Sequence, residues 1–477
     1  MNSPTEDLGR HLARELESFE ADRLPGAVLE ATKRRILDTI GIVVAGGGLG
    51  QGSRTLAALV EEEGGRPESR LLGTGLKVPC RAAALVNAGF AHALDYDDVF
   101  SPVRVHPDAI TVPTALAVAE KVGGVPGREL VAAVALADDL AIRVGQAIFR
   151  APAEGPDPMS WPGRSWHPTL IAGYVSATAV AGRLLGLDAE QLVHAFGITL
   201  YRTAGTLAYV RGARNLVAEL YYGFPSEVGV MSALMAGRGV TGPTEPFEGE
   251  GGLFPAFFGD RYHRESLSVG FGTEFEAGIE TKPWPAVRTS HVYIQASLRL
   301  VQENGLAADQ VQEIVIHCGR LAQLACEPLA LRIKPRTAID AKFSIPFIVA
   351  VAIANRSVRI RDFLPTNLAD PAVLALAERV RLQPDAALDG DDRFRGAGLV
   401  AAVVEVTTRT GARHSARVEF ARGGPADPMS LEEVADKFRD CCQYAARQIP
   451  GAQVDRIVEL VSRLEDVPDV AELMELL

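Results

Sequence analysis

From Thr5 to about Phe271, apolar residues, chiefly Ala, Leu and Val, recur at three- and four-residue spacing, the period of helices with one buried face. Leu29, Thr32, Ile36, Thr39, Ile40 and Val43 mark one such helix, which the pattern expects to stop at Gly46-Gly47-Gly48. Further helices are expected over about 81–94, 107–121, 127–148, 168–185, 188–199 and 225–236, with a short turn near 243–248 and almost no strand signal. After Gly272 the pattern changes. Residues 311–318 read as a strand, and 399–408 and 412–420 read as a hairpin around Thr410-Gly411, with helices near 291–304 and 339–354. Beyond Arg422-Gly423-Gly424-Pro425 the helical period returns over about 430–448 and 454–464. The order predicts a mainly α protein. A large all-helical domain, formed by 1–272 and 424–477, is interrupted by a smaller α+β lid domain at 273–423.

Composition narrows the function more than the fold. At 477 residues and 47% hydrophobic the chain has material for a large core and two to four domains. Its net charge of −12 excludes nucleic acid and anionic membrane as partners, but not an anionic small molecule bound in a local basic pocket. The apolar runs 345–354 and 167–182 are too short or too interrupted to span a bilayer. Met1–His11 lacks the basic and apolar regions of a secretory leader. The five cysteines include no Cys-x-x-Cys pair, which fits reduced thiols in a cytoplasmic protein and offers no zinc or iron–sulfur spacing; no metal site is expected. Gly46-Gly47-Gly48 follows a helical run and does not satisfy Gly-x-Gly-x-x-Gly, so a dinucleotide loop is rejected.

Three stretches could carry chemistry. Asp95, Asp97 and Asp98 end one apolar run, where carboxylates would face the negative end of the helix dipole. His106-Pro107 and His167-Pro168 each precede an Ala-rich helix, with Pro suited to the first helical position and His to the N-cap. Helix N-termini receive carboxylates and disfavour imidazolium, so these histidines are expected neutral and able to accept a proton. Lys282-Pro-Trp-Pro-Ala-Val-Arg-Thr-Ser-His291 presents Lys282 and Arg288 from an extended, proline-stiffened segment, as cations that could steady a dianion. Each stretch also has a purely structural reading: solvated helix ends for Asp97 and Asp98, simple caps for the histidines, and a charged linker for the third. Asp95, which points back along the apolar face, is the acid most expected to orient an imidazole or to take a proton itself.

Taken together, Ile36-Leu-Asp-Thr-Ile-Gly41, Asn87-Ala-Gly-Phe-Ala-His-Ala-Leu-Asp-Tyr-Asp-Asp98, both His-Pro sites, Gly186-Leu-Asp-Ala-Glu-Gln-Leu-Val-His-Ala-Phe-Gly197, Lys282-Pro-Trp-Pro and Ala341-Lys-Phe-Ser-Ile-Pro346 resemble the MmgE/PrpD family over nearly the whole chain. That family includes 2-methylcitrate dehydratase, cis-aconitate decarboxylase and iminodisuccinate epimerase. The resemblance implies a homodimeric enzyme without a cofactor, whose active cleft lies between a helical domain and an α+β lid. It places Asp95, His106, His167 and Lys282 at active-site positions, with Arg104, Trp166, Ala218, Arg288 and Val99 as substrate-facing neighbours. Four departures stand out. Val99 replaces a threonine, Ala218 (beside Glu219) stands opposite a lysine, Val287 opposite a histidine and Leu324 near a tyrosine. A pocket so altered is less cationic and more apolar, and is expected to take a substrate with fewer carboxylates than a tricarboxylate. The expected activity is a lyase, foremost a dehydratase that removes a proton next to a carboxylate. Decarboxylation, epimerisation or isomerisation, and a non-catalytic binding role are the alternatives. Asp95 with His106 is read as the base pair, His167 as acid or carboxylate ligand, and Lys282 as electrostatic stabiliser.

Overall fold

The helical period builds a unit whose first and last pieces come from opposite ends of the chain. In the computed structural model, which describes residues 6–150, 165–208, 215–259, 261–388 and 401–477, the chain forms two units, Met1–Ile279 with Ser430–Leu477, and Glu280–Met429. The helical unit begins with α1 (Leu8–Ser18), α2 (Gly26–Leu49) and α3 (Gln51–Glu63), followed by a hairpin of β1 (Ser69–Leu71) and β2 (Leu76–Val78). Next come α4 (Cys80–His92), α5 (Asp108–Val122), α6 (Gly127–Phe149), α7 (Pro168–Leu184), α8 (Ala189–Leu200), α9 (Gly223–Ala236), α10 (Leu253–Phe258) and α11 (Glu265–Ser268). The centre is made where α7 packs on α6 and α9, and where α4 packs on α2, α5 and α9.

Helix α2 runs through the glycines that were expected to end it. Every residue from Ile36 to Gly47 is buried, so this helix has neighbours on all sides rather than one apolar face. A Cβ at Gly46 would stand 2.0 Å from the carbonyl oxygen of Phe90 in α4. The glycine is therefore required by close backbone approach and does not act as a terminator. The hairpin β1–β2 also escaped the sequence reading, because three-residue strands carry no measurable alternation.

The second unit contains α12 (His291–Asn304), β3 (Val311–Cys318), α13 (Arg320–Gln323), α14 (Leu329–Arg332), α15 (Ala338–Lys342), α16 (Ile345–Asn355), α17 (Pro371–Ala377), β4 (Val380–Pro384), β5 (Ala402–Thr408) and β6 (Arg413–Val418). The strands form one sheet in the order β4-β3-β5-β6, with β3 and β4 parallel and the rest antiparallel. Strand β5 buries Ala402, Val404, Val406 and Thr408 at a strict period of two, and α12 covers β5 and β6. In β3 the register shifts between Val311 and Glu313, a bulge that lets Val311 and Ile314 both face the core. Strand β4 was missed since only Val380 of its five residues is buried. The single helix expected at 339–354 is two, because Ser344 caps α16 through Phe347 N–H at 3.2 Å and Pro346 opens its first turn. Residues 399 and 400 of the expected hairpin lie outside the described residues.

The chain then returns to the helical unit as α18 (Leu431–Cys442), α19 (Gly451–Ser462) and α20 (Ala471–Met474), with α18 packed on α2. The junctions fall a few residues beyond those expected at Gly272 and Gly423. Glu274 O accepts from Arg143 at 2.7 Å and Glu276 N–H donates to Asp139 at 2.8 Å, which ties that stretch to α6. Glycines 423 and 424 belong to the second unit, where Thr281 N–H donates to Gly423 O at 2.9 Å. No helix among the described residues is long and apolar enough to cross a membrane. Gly46→Ala is expected to lower unfolding stability by about 2–4 kcal/mol through overpacking against Phe90; urea unfolding followed by circular dichroism measures it.

Candidate active site

The site grows from the loop joining α4 and α5. Helix α4 ends at His92, and Asp95 follows with φ of 52°, while Arg104 has φ of 55°. Left-handed backbone costs a residue with a Cβ on the order of 1 kcal/mol, so the surroundings must hold both in place. Between them Phe100 N–H donates to Val105 O at 2.8 Å, and Val103 and Val105 lie against α6 where Gly145 has no side chain. A Cβ at Gly145 would come within 2.6 Å of Val103. Val99 is buried in this loop. Thr169 of α7 donates to Arg104 O at 3.2 Å, and burial lowers the pKa of the Arg104 guanidinium.

The acids in the loop resolve the conflict with the helix dipole. Asp98 accepts the N–H groups of Asp108 and Ala109 at 3.1 and 3.0 Å, capping the start of α5 from ten residues upstream. It sits at the favourable, positive end of α5 and not at the unfavourable end of α4. Helix α5 consequently begins at Asp108, with Pro107 at the cap, and His106 lies one residue farther out than expected. Behind Asp98, Arg35 Nε is 2.9 Å from Asp108 and its Nη2 is 3.1 Å from Asp138, which also accepts from Thr111. Burial, then neighbouring carboxylates, push Asp98 and Asp138 well above the ordinary carboxylate range. Asp38 is pushed up to about 6 by burial despite Lys437 at 2.7 Å, and Lys437 in turn donates to Tyr96 O at 3.0 Å.

Asp97 is the carboxylate set between the imidazoles. Its Oδ2 lies 3.0 Å from Nδ1 of His92 and 2.8 Å from Nδ1 of His106, the second an ion-pair contact bent away from a straight hydrogen bond. Asp97 is fully buried and both histidines are partly exposed. Facing a carboxylate, each Nδ1 must carry its hydrogen, which leaves each Nε2 for chemistry. His92 Nε2 is 3.1 Å from the hydroxyl of Tyr221. The Tyr222 ring packs on His92 at 4.1 Å and on His106 at 5.7 Å between centroids, and Tyr221 lies 5.3 Å from His167. His167 caps α7 with Pro168 at its first turn, as the spacing predicted. Burial, reinforced by the charges of His106 and His92, lowers its pKa to about 3, so it is neutral at physiological pH.

The sequence-predicted residues thus divide. His106 and His167 meet around the two tyrosines. Asp95 lies half-buried in the same loop, but the oxygen found on His106 is that of Asp97, which corrects the expected pairing. Trp166 bridges to Thr206 in a short antiparallel pair, and its ring lies 4.8 Å from that of Phe257, tilted by 60°. Ala218 is half-buried in the single turn 216–219, whose Glu219 accepts Gly52 N–H at 2.7 Å at the start of α3. Lys282 and Arg288 belong to the second unit, where Lys282 is buried. Arg288 does not have the open guanidinium expected of a substrate ligand. Its five N–H groups face Glu280 twice, the carbonyls of Ala421 and Arg422, and Nδ1 of His291. His291 donates from Nε2 to Ala286 O at 3.1 Å, which fixes it as the neutral partner. His92, Asp97, Tyr221 and Tyr222 went unassigned from sequence. The adjacent tyrosines and the His92–Asp97 spacing were visible, but nothing local joined them.

His167 yields a signed pH dependence. Between its unfolded pKa near 6.5 and its folded value of about 3, the unfolded chain binds a proton that the folded chain does not. The stability is complete above the unfolded value and is lost as pH falls through this window. His167→Asn places a favoured residue type at the N-cap position, removes the titrating imidazole, and should reduce the loss between pH 7.5 and pH 5 by about 2 kcal/mol. Urea unfolding of both proteins at the two pH values measures the difference.

Residues 10–265 match the MmgE/PrpD N-terminal domain and residues 284–466 the MmgE/PrpD C-terminal domain. Among curated proteins, the chain is 25% identical over 500 residues to the cis-aconitate decarboxylase-like protein oryM of Aspergillus oryzae, covering 100% of this chain and 98% of that one. It is 24% identical to the cis-aconitate decarboxylase of Aspergillus terreus, over 96% of this chain and 94% of the relative. It is also 24% identical to the human cis-aconitate decarboxylase, over 98% and 93%. With both domain matches in chain order and together spanning most of its length, the chain belongs to the MmgE/PrpD family.

Proposed function

We propose that this protein is a lyase acting on a small carboxylate, foremost a dehydratase, with its own side chains as acid and base. The observation that carries the reading is Asp97 Oδ2 shared by the Nδ1 atoms of His92 and His106. Elimination of water requires one group to take a proton from carbon while another gives a proton to the departing hydroxyl. Two imidazoles on one carboxylate can exchange a single positive charge between them without changing the net charge of a mostly buried site. His106, presenting Nε2, is assigned the base. Neutral His167 at the start of α7, and Arg104 in the strained loop, are assigned to the substrate carboxylate. Asp95 is retained as a contributor from the same loop, and Lys282 as a stabiliser on the family resemblance alone.

Decarboxylation is the second reading, favoured by the names of the relatives, which are cis-aconitate decarboxylases or decarboxylase-like. It draws on the same carbanion-stabilising groups and differs in whether water or carbon dioxide leaves. Buried Val99 and the half-buried Ala218 support a substrate with fewer carboxylates than a tricarboxylate and an added apolar part. Rapid turnover of cis-aconitate or 2-methylcitrate with micromolar binding would sink that substrate class.

The test is a panel of 2-hydroxy and 3-hydroxy acids and unsaturated acids, with nuclear magnetic resonance of products and trapping of carbon dioxide. His106→Ala should lower kcat by about 10²–10⁴ on whichever acid is turned over. A loss of less than about threefold, with folding intact by circular dichroism, removes His106 from the acid–base role.

A further inference from the structure

We infer that Tyr221 is the proton donor of this site, recharged by His92, an inference that rests on the proposed elimination. The Tyr221 hydroxyl is 3.1 Å from His92 Nε2, and His92 Nδ1 is 3.0 Å from Asp97 Oδ2, so phenol, imidazole and carboxylate form one chain. Tyr221 is 6% exposed, and its ring is held edge-on to Tyr222 at 4.7 Å and beside His167 at 5.3 Å. The hydroxyl is therefore fixed among the imidazoles. Asp97 sets which end of His92 meets the phenol: with Nδ1 committed to the carboxylate, only Nε2 remains. When His92 is doubly protonated it donates to the phenol oxygen, so the phenol no longer gives its hydrogen to Nε2 and can give it to a substrate.

The step balances. His106 Nε2 takes the proton from carbon, the C–H electron pair becomes the new double bond, and the C–O bond breaks. The phenol proton joins the departing hydroxyl, which leaves as water, and the phenolate takes the Nε2 proton of His92. The positive charge has moved from His92 to His106, and both remain on Asp97. Exchange with solvent returns the pair to its starting state. If carbon dioxide leaves instead, the same phenol proton goes to the carbanion, and solvent resupplies His92.

Tyr221→Phe keeps the ring and removes only the hydroxyl, so it separates donation from packing. On an acid that the wild-type full chain turns over, Tyr221→Phe should lower kcat by about 10²–10⁴ while KM changes by less than about threefold. In deuterated water, Tyr221→Phe should still exchange the proton next to the carboxylate into unreacted hydroxy acid, and His106→Ala should not. His92→Gln should lower kcat in parallel with Tyr221→Phe, and the double variant should lose little more than either one. Product formation by Tyr221→Phe within about threefold of wild type overturns the donor role. Loss of exchange in Tyr221→Phe overturns it too, because the phenol would then serve the base. If the wild type releases carbon dioxide, product formation alone decides. A wild type inactive on every acid overturns the proposed function beneath this one, and that failure is seen before any variant is made.

Discussion

Five carboxylates, those of Asp38, Asp97, Asp98, Asp108 and Asp138, are almost fully excluded from water around one short loop, and the helical unit depends on how they are neutralised. Arg35 holds Asp108 and Asp138, and Lys437 holds Asp38, while Asp98 is held by the first N–H groups of α5 and Asp97 by two imidazoles. Removing one partner from a buried pair typically costs about 3–5 kcal/mol, because the charge left behind cannot reach water. The cluster therefore joins α2, α4, α5, α6 and α18 into one arrangement. A shift in any of these would leave a carboxylate unsatisfied.

The same constraint positions the chemistry. Lys437 comes from α18, near the end of the chain, yet it donates to Tyr96 O and stands 3.7 Å over the Tyr96 ring, beside Asp97. The insertion of the second unit between residues 279 and 430 adds only a modest closure cost to this contact, since that cost rises slowly with loop length. Burial drives Asp98 and Asp138 toward their neutral forms, whereas Asp97 is flanked by two groups that can each carry a positive charge. Neighbouring acids in one loop thus have opposite uses. Asp98 starts a helix, and Asp97 faces the imidazoles.

Much of this was legible in the chain. The long helices α4 to α9 were found within a few residues, because each carries an apolar period and most have a Pro or Gly at an end, while Asp188 and Gln191 form a capping box at the start of α8. The break of the acidic run with dipole logic drew attention to the loop, and the two His-Pro pairs marked the starts of α5 and α7. The reading went astray where a local rule has a long-range cause. Gly46 resembles a helix stop, but it is small so that Phe90 can approach, and that approach is visible only once α4 is packed on α2. Arg288 resembles an open cation, but its donors are taken by groups up to 134 residues away.

Periodicity by itself determined the mainly helical architecture with its α+β insertion, because burial and local backbone preferences are expressed directly in short stretches of sequence. The family showed in the resemblance of its motifs, and the loop between Asp95 and Asp108 stood out because its acids break a local rule. The partner of each acid was decided only in three dimensions. Asp97 and not Asp95 meets His106, Asp98 caps the next helix, and Tyr221 reaches His92 across 129 residues. Hydrogen bonds and buried charges act over a few ångströms, and the packing of helices decides which groups come that close.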